Sequence, residues 1–239
     1  MRGSPGLSIA VIAAAVLIPA TAAAAVAWSG WVSEEGGGPW TYCGPSNESA
    51  SGFECIGSYC DNVRVKCETM PYGITVTGYH ASASFSEEDN GVGTVTSEGW
   101  YRYDDSYSEV CNYSGSAGIV TGIRCTGSYC DNITLECATP MTHVGGVAAP
   151  AQLTSCEWTG WFSEEQPAMQ YATGANEWIT GVACSGRYCD NKRFYICSLA
   201  APPDSCVGQC GVYSAGGCWC DTQCSAYGDC CSDYDYACP

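Results

Sequence analysis

One motif occurs three times in this chain, and it constrains the fold more than any other feature of the sequence. The copies begin at Gly52, Gly122 and Gly181, and each continues with Cys, Gly, Tyr, Cys, Asp and Asn at the same offsets. A further cysteine closes each copy a few residues later. These closing residues are Cys67, Cys137 and Cys197. Self-similarity at a regular spacing indicates that one supersecondary unit is repeated along the chain.

The similarity extends upstream of the motif. The segment Trp28-Ser-Gly-Trp31-Val-Ser-Glu-Glu35 matches Trp158-Thr-Gly-Trp161-Phe-Ser-Glu-Glu165, and a looser version occupies residues 98–105. The sequence therefore predicts three units, at about 28–67, 98–137 and 156–197.

Alternating β-branched and aromatic residues predict strands, as in Val63–Lys66 and Ile74–Tyr79. The Asp-Asn pair of each motif lies between two such runs and suits a hairpin turn, because Asp and Asn bond their own backbone and tolerate left-handed conformations. The alternative is a ligand or Ca²⁺ site formed by side-chain oxygens. The pairs are Asp61-Asn62, Asp131-Asn132 and Asp190-Asn191.

Units this small cannot easily bury a core alone, which favours a single body over separate beads. We therefore predict an all-β, disulfide-rich fold in which residues 28–198 form a three-repeat β domain. Three similar units are expected to close with pseudo-threefold symmetry, as a prism or a trefoil-like fold.

The 20 cysteines are predicted to form disulfides, four in each repeat and eight near the C-terminus. If the hairpin turns near Asp61, Cys55 lies opposite Cys67, which favours Cys55–Cys67 and Cys43–Cys60. Sequence alone leaves three pairings open in each unit. The repeat cysteines are Cys43, Cys55, Cys60, Cys67, Cys111, Cys125, Cys130, Cys137, Cys156, Cys184, Cys189 and Cys197.

The first 27 residues are predicted to be a secretory signal. Arg2 is their only charge, an apolar run follows from Ile9 to Ile18, and alanines precede a cut between Ala23 and Ala27. An uncleaved anchor is the alternative. Secretion agrees with the cysteine content, and the two histidines are too few to favour zinc over disulfides.

The chain is acidic, with 25 carboxylate side chains against 8 basic ones. Phosphate backbones and anionic membranes would be repelled, so nucleic acid and membrane surfaces are poor partners. Basic proteins, Ca²⁺ and neutral sugars stay open as ligands. The simpler interpretation is that the acids keep a secreted protein soluble.

The last eight cysteines lie so close together that disulfides must replace an ordinary core. Cys218-Trp-Cys220, the adjacent Cys230-Cys231 and the following Ser-Asp-Tyr234 resemble the somatomedin B family. The resemblance covers 206–238, after a Pro-rich linker at 199–205. It implies a small extracellular module that binds protein partners, with polysaccharide-binding or scavenger-receptor roles in some members.

The resemblance also implies four bridges and a binding face. The bridges are Cys206–Cys220, Cys210–Cys238, Cys218–Cys231 and Cys224–Cys230. The face carries over to Asp221, Gln223, Tyr227, Asp233 and Tyr234. Gln223 replaces an aliphatic anchor of the family and Ala226 an aromatic neighbour, so the partner of those relatives does not carry over.

The residues themselves agree that this module binds a partner. Trp219, Tyr227, Tyr234 and Tyr236 are too many large rings for so small a scaffold to bury, and acids accompany them without a base. Exposed rings among acids suit a partner that offers Arg or Lys. The alternative is that Tyr and Asp only cover and solvate the disulfides.

Catalysis is not predicted. His80 and His143 lie in no catalytic motif, and adjacent pairs such as Glu34-Glu35 do not provide two carboxylates across a cleft. The repeated tryptophans are core residues or, alternatively, three sugar sites that gain by avidity. Asn47, Asn112 and Asn132 match N-glycosylation acceptors.

We therefore predict a secreted recognition protein that binds a basic extracellular protein or a glycan, without cofactor or metal. A structural matrix protein without a specific ligand is the alternative, and a hydrolase is the least favoured.

Overall fold

The computed structural model describes residues 27–86, 107–113, 116–144, 147–163, 169–185, 187–206, 209–231 and 233–238. The predicted signal sequence lies almost entirely outside these residues and stays a prediction. The upstream segment of the second copy, residues 98–105, and Glu164 and Glu165 of the third copy also lie outside them.

Most of the described residues up to 199 form strands, and four single-turn 3-10 helices lie between some of them, at Glu34–Gly36, Ser58–Cys60, Ser128–Cys130 and Arg187–Cys189. The strands before residue 87 are β1 (Ala27–Trp28), β2 (Val32–Ser33), β3 (Trp40–Tyr42), β4 (Glu48–Ile56), β5 (Asn62–Thr69) and β6 (Thr75–Ala81). The strands up to residue 150 are β7 (Tyr107–Val110), β8 (Asn112–Tyr113), β9 (Ser116–Ala117), β10 (Ile119–Thr126), β11 (Asn132–Val144) and β12 (Val147–Pro150). The last strands are β13 (Leu153–Trp158), β14 (Phe162–Ser163), β15 (Met169–Ala172), β16 (Glu177–Ser185) and β17 (Asn191–Leu199).

Each copy of the motif forms the central hairpin of one antiparallel sheet. The first sheet is built on β4 and β5, the second on β10 and β11, and the third on β16 and β17. β5 alternates in burial from one residue to the next, as expected for a strand with one face toward a core. The prediction of an all-β, disulfide-rich fold is confirmed.

Each of these three sheets also contains one strand from another copy, whereas a fourth sheet in the described residues consists of β8 and β9 alone. The first copy supplies β3 to the second sheet, the second supplies β7 to the third, and the third supplies β15 to the first. At Gly52 and Gly122, which begin two of the motifs, an added Cβ would come within 2.5 Å and 2.7 Å of a residue on the exchanged strand. The first glycine of the motif therefore permits close approach of the exchanged strand.

The three sheets share one core. Its buried side chains come from all three copies and include Phe53, Ile123 and Phe194. Phe194 of the third sheet packs against Phe53 and Tyr171 of the first sheet, with ring centroids 5.2 Å apart in both pairs. No copy encloses this core alone, which is why the units must pack together to be stable.

The Asp-Asn pair lies in the hairpin turn, as predicted. Asp61 Oδ1 accepts a hydrogen bond from Asn62 Nδ2 over 2.6 Å, and both other copies repeat it. Gly57 has a φ of 85°, and an added Cβ would lie 1.8 Å from Asp61 Oδ1. Tyr59 follows in the left-handed region, with a φ of 57°. The motif therefore encodes one strained turn three times.

The three turns meet at one place. Their tyrosines, Tyr59, Tyr129 and Tyr188, pack ring against ring with centroids 5.2, 5.1 and 4.9 Å apart. Aromatic pairs at this spacing and tilt attract one another beyond the area they bury. This packing gives the repeated tyrosine of the motif a structural role.

The predicted pairings Cys55–Cys67 and Cys43–Cys60 are wrong. The bonds are Cys55–Cys60 and Cys43–Cys67, and the other copies pair the corresponding cysteines. The turn is so tight that Cys55 is opposite Val63, whereas Cys67 is opposite Ala50. Cys55 therefore bonds across the turn and leaves Cys67 for Cys43.

Two of the disulfides that close the longer loops tether exchanged strands to a neighbouring sheet. Cys43 directly follows β3, which lies in the second sheet, and its partner Cys67 lies in the first sheet. Cys111 and Cys137 join the third and second sheets in the same way. Cys156 and Cys197 both lie in the third sheet, on β13 and β17. The third copy thus carries its fourth cysteine at a different place in the fold.

Candidate functional site

The C-terminal residues fold around disulfides. They contain two short helices, α1 (Cys224–Tyr227) and α2 (Tyr234–Ala237). The bonds are those that the family resemblance implied: Cys206–Cys220, Cys210–Cys238, Cys218–Cys231 and Cys224–Cys230. Three fully or nearly buried cysteines form the centre, with Tyr234 packed against them.

Asp233 is buried, with 5% of its surface exposed. Its carboxylate accepts hydrogen bonds from Ser205 Oγ over 2.5 Å and from the backbone N–H of Cys206 over 2.8 Å. A buried carboxylate is tolerated when its oxygens are bonded in this way. Asp233 therefore secures the first residues of the module from inside and does not lie on its exposed surface.

Three of the predicted binding residues border one shallow cavity. Asp221, Gln223 and Tyr227 surround a space of about 250 Å³ together with Trp219 and Asp229. Tyr227 is 76% exposed, and Trp219 and Gln223 are also exposed. We call these five residues the module face. Trp219 and Asp229 belong to it only because β-like bridges bring residue 219 beside both 213 and 230.

The geometry of the module face depends on Asp221. Its Oδ1 accepts the backbone N–H groups of Gln223 and Cys224, both at 2.9 Å. These bonds satisfy two donors at the start of α1 and set the direction in which that helix presents Tyr227. Trp219 is supported on its other side by Tyr213, whose ring centroid lies 5.0 Å away.

Tyr234 lies away from the module face. It lines a neighbouring cavity of about 380 Å³ that also contains Asp221, Thr222 and the Cys210–Cys238 bond. Asp221 borders both cavities. The structure thus brings Asp221, Gln223 and Tyr227 together and places Asp233 and Tyr234 elsewhere.

The charge of this region has one sign. Residues 204–239 contain five Asp and no Lys, Arg or His. Asp221 and Asp229 flank the exposed rings of Trp219 and Tyr227. Such an arrangement favours a cationic group, which gains from the ring faces and from both carboxylates.

One cluster of three cysteine sulfurs lies close enough to suggest a metal site, at Cys206, Cys220 and Cys231. All three are in disulfides, and two stacked bonds explain the 3.4 Å between the sulfurs of Cys220 and Cys231. A metal needs thiolates, which disulfide sulfurs do not provide. The cluster is therefore part of the core.

The repeated tryptophans make cation–π contacts with arginine side chains. Arg64 lies over the rings of Trp28 and Trp31, with its guanidinium carbon 4.7 and 4.3 Å from their centroids. Arg193 lies over Trp158 and Trp161 in the same way, at 4.8 and 4.7 Å. One face of each indole is thus occupied by a cation. Trp31 and Trp161 remain partly exposed.

The predicted N-glycosylation acceptors differ in their surroundings. Asn47 is exposed in the turn before β4, and Asn112 is half-buried on β8. Asn132 donates its side-chain amide to Asp131 Oδ1 over 2.7 Å and so takes part in the hairpin turn. Modification of any of them stays a prediction.

None of the helices in the described residues is long and apolar enough to cross a bilayer. No curated protein and no solved structure matches this chain. The family model of the Somatomedin B domain matches residues 204–239, beginning at the buried Asp204 and Ser205 that precede the first cysteine. Residues 204–239 therefore form a Somatomedin B domain, and the structure gives it four disulfides.

Proposed function

We propose that this protein is a secreted recognition protein whose somatomedin B module binds an extracellular protein through the module face. One observation carries the proposal. Two exposed aromatic rings and two carboxylates surround one cavity on a module without a basic side chain. Exposed Trp and Tyr in a pocket are typical of residues that dominate binding energy in interfaces.

The partner offers Arg or Lys. A guanidinium or ammonium group stacks on Trp219 or Tyr227 and is bonded by Asp221 or Asp229 at the same time. Arg suits the site better, because its planar group presents several donors and also stacks on rings. The acidic charge of the whole chain steers such a partner toward it.

Secretion is part of the proposal. All 20 cysteines are in disulfide bonds, which require an oxidising compartment to persist. The sequence pattern of residues 1–27 is that of a secretory signal. The location and the binding function thus have separate lines of support.

The three sheets serve as a rigid scaffold in this proposal. We propose that they are related by a pseudo-threefold axis in a prism-like arrangement. The exchange of β3, β7 and β15 supports this arrangement, because each copy gives one strand to the next sheet and the third copy gives its strand back to the first. The packing of Tyr59, Tyr129 and Tyr188 against one another also supports it. We propose binding, and not catalysis, as the function of this arrangement.

The test is a binding screen with the full secreted chain. The chain is presented to an array of purified extracellular proteins, and each hit is measured by biolayer interferometry at two salt concentrations. Tyr227→Ala is expected to weaken a true hit roughly tenfold or more. Asp229→Asn is expected to lower the association rate and its salt dependence.

Ser225→Ala serves as the control, because residue 225 is exposed on the same helix but does not line the cavity. Hits that Tyr227→Ala does not weaken contradict the module face as the binding site. An array without saturable hits, together with concentration-dependent self-assembly of the purified chain, favours a structural matrix protein instead.

A further inference from the structure

The outer face of the second sheet brings together polar and aromatic side chains from four strands. The register places Gly122 of β10 between Tyr42 of β3 and Glu136 of β11. The neighbouring Ile123 and Leu135 are buried in the core, so Gly122 and Glu136 point the other way. Tyr42, Tyr79, Thr121, Arg124 and Glu136 form what we call the second-sheet face.

Gly122 allows Tyr42 to lie across the sheet. An added Cβ at residue 122 would be 2.7 Å from Tyr42 Cδ1 and 3.3 Å from Glu136 Cβ. The ring of Tyr42 therefore occupies the space that a side chain at 122 would fill. Trp40 stacks behind Tyr42 at 5.6 Å with an angle of 12° between the rings, which fixes the orientation of Tyr42.

A second exposed tyrosine reaches Glu136 from the opposite side. β6 pairs with β11 on the edge away from β10, and its register shifts between Cys137 and Thr139. Gly78 has a φ of 67° at this bulge. A bulge redirects the side chain that follows it, here Tyr79. Tyr42 and Tyr79 are 48% and 49% exposed.

The carboxylate of Glu136 lies at the base of the face, between the rings of Tyr42 and Tyr79. Thr121 Oγ1 donates to Glu136 Oε2 over 2.9 Å. Burial raises the pKa of Glu136, and the Thr121 bond and nearby His80 act in the opposite sense. Burial and the charge of Glu136 raise the pKa of Tyr42 and of Tyr79. Both phenols therefore remain O–H donors beside an acceptor.

Arg124 lies beside Tyr42 and acts against the charge of Glu136 there. Its Nε donates to Gly38 O over 2.8 Å, which holds the guanidinium at the edge of the face, and its terminal N–H groups make no hydrogen bond to another residue in the described part of the chain. The face thus combines one cation, one carboxylate and two phenols. A ligand of either net charge would meet repulsion from one of the two charged groups.

The other sheets have the same glycine but not the same surroundings. In the register of the first sheet, Gly52 lies between Ala172 and Lys66. In the third sheet, Gly181 lies between Val110 and Tyr195. Within the described residues, the combination of a ring on the exchanged strand and a carboxylate beside the glycine occurs in the second sheet.

We propose that the second-sheet face binds a neutral glycan. A pyranose ring has apolar C–H faces that pack on Tyr42 or Tyr79, and hydroxyl groups that donate to Glu136 and accept from Arg124. Sugar hydroxyls satisfy donors and acceptors of both kinds without bringing a charge into the half-buried position of Glu136. The proposal uses no residue of the somatomedin B module and is independent of the protein-binding function proposed above.

The test is an array of neutral and anionic glycans probed with the full secreted chain, followed by calorimetry with the best soluble oligosaccharide. Tyr42→Ala and Glu136→Gln are each expected to lower the affinity for a neutral glycan roughly tenfold, since each removes a contact worth about that factor. Lys66→Ala is the matched control on the first sheet, and Ser225→Ala is the control on the module, since residue 225 is exposed and does not line the module cavity. Both are expected to bind as the unchanged protein does. Tyr227→Ala tests the module face as the competing glycan site.

Thermal melting of each variant separates lost binding from lost folding. No saturable binding of a neutral glycan, or binding that Tyr42→Ala and Glu136→Gln leave unchanged in folded protein, overturns the proposal. Binding only to sulfated or uronic-acid glycans also overturns it. Loss of glycan binding in Tyr227→Ala alone assigns the glycan to the module face, which overturns the second-sheet proposal and leaves the module as a binding site.

Discussion

The sheets of residues 27–199 enclose aliphatic and aromatic side chains, whereas the module that follows encloses mainly its own cysteines. In the sheets, Phe53, Ile123 and Phe194 fill the space between strands, and disulfides join parts that already pack together. In the module, four disulfides replace that packing. Disulfides reinforce a core in the first region and are the core in the second.

Reduction of the disulfides tests this difference between the two regions, and it is expected to have the largest effect on folding. Under graded reduction in native buffer, we expect residues 204–239 to unfold first, because a chain of that size without disulfides rarely holds a fold. Cys210 of the module and Cys156 of the third sheet are both exposed, whereas Cys125 and Cys130 in the second sheet are fully buried. Hydrogen exchange followed by mass spectrometry measures the protection of each region. Equal loss of protection in β10 and in the module would contradict the comparison.

Phe194→Ala tests the side-chain core. Phe194 is fully buried between sheets, so we expect its truncation to lower the free energy of unfolding of the β region by about 3–5 kcal/mol. Chemical denaturation followed by tryptophan fluorescence measures the change. Binding through the module face is expected to persist under native conditions. A loss below about 1 kcal/mol would mean that the sheets do not depend on this shared core.

Each repeat has two kinds of disulfide, and removing them one at a time compares their contributions to stability. In the first repeat, one tethers the exchanged strand and the other closes the hairpin turn. Removing Cys43–Cys67 as a double Ala variant opens a loop of 24 residues and removes the covalent link between β3, in the second sheet, and β5 of the first sheet, at a cost of about 3 kcal/mol. Removing Cys55–Cys60 opens a loop of 5, at about 2 kcal/mol. Paired denaturation curves give both values. The reverse order would show that the turn, and not the strand exchange, depends more on its bond.

Glu136→Gln has the smallest expected effect. Burial raises the folded pKa of Glu136 above its unfolded value, so the wild-type protein loses stability as the pH rises from the unfolded pKa through the folded one. Gln keeps an acceptor for Thr121 and removes this loss. We expect a slightly higher melting temperature for the variant at pH 7 and no difference at pH 3. A lower melting temperature at pH 7 would mean that the ionised carboxylate stabilises the sheet.

Much of the architecture could be predicted from the repeats. Three copies of one hairpin follow from the pattern, and so does the turn at Asp61-Asn62, because those residues favour it locally. The disulfide partner of Cys55 could not be predicted, because it depends on the number of residues in the hairpin turn around Tyr59, which has a left-handed backbone conformation. A shift of that turn changes which residues are opposite.

The candidate sites divide in the same way. Asp221, Gln223 and Tyr227 could be placed together because they lie within one turn and a short helix of a recognisable module. Asp233 could not be placed, since its burial depends on bonds to Ser205 and Cys206 at the other end of the module. The second-sheet face was not predicted at all, because Tyr42 and Glu136 are far apart in sequence and meet through strand exchange.

The number of repeats can be predicted from the amino-acid sequence alone, and so can their hairpins, the disulfide bonding of the cysteines and the somatomedin B spacing. These features depend on neighbours within a few residues or on spacing alone, so local physics is enough. The three-dimensional structure was needed to show which strand joins which sheet, which residues line the module face and how Tyr42, Gly122 and Glu136 come together. Such contacts depend on packing between segments that are distant in sequence. Because the three copies have almost the same local sequence, local patterns do not specify which copy supplies a strand to which sheet.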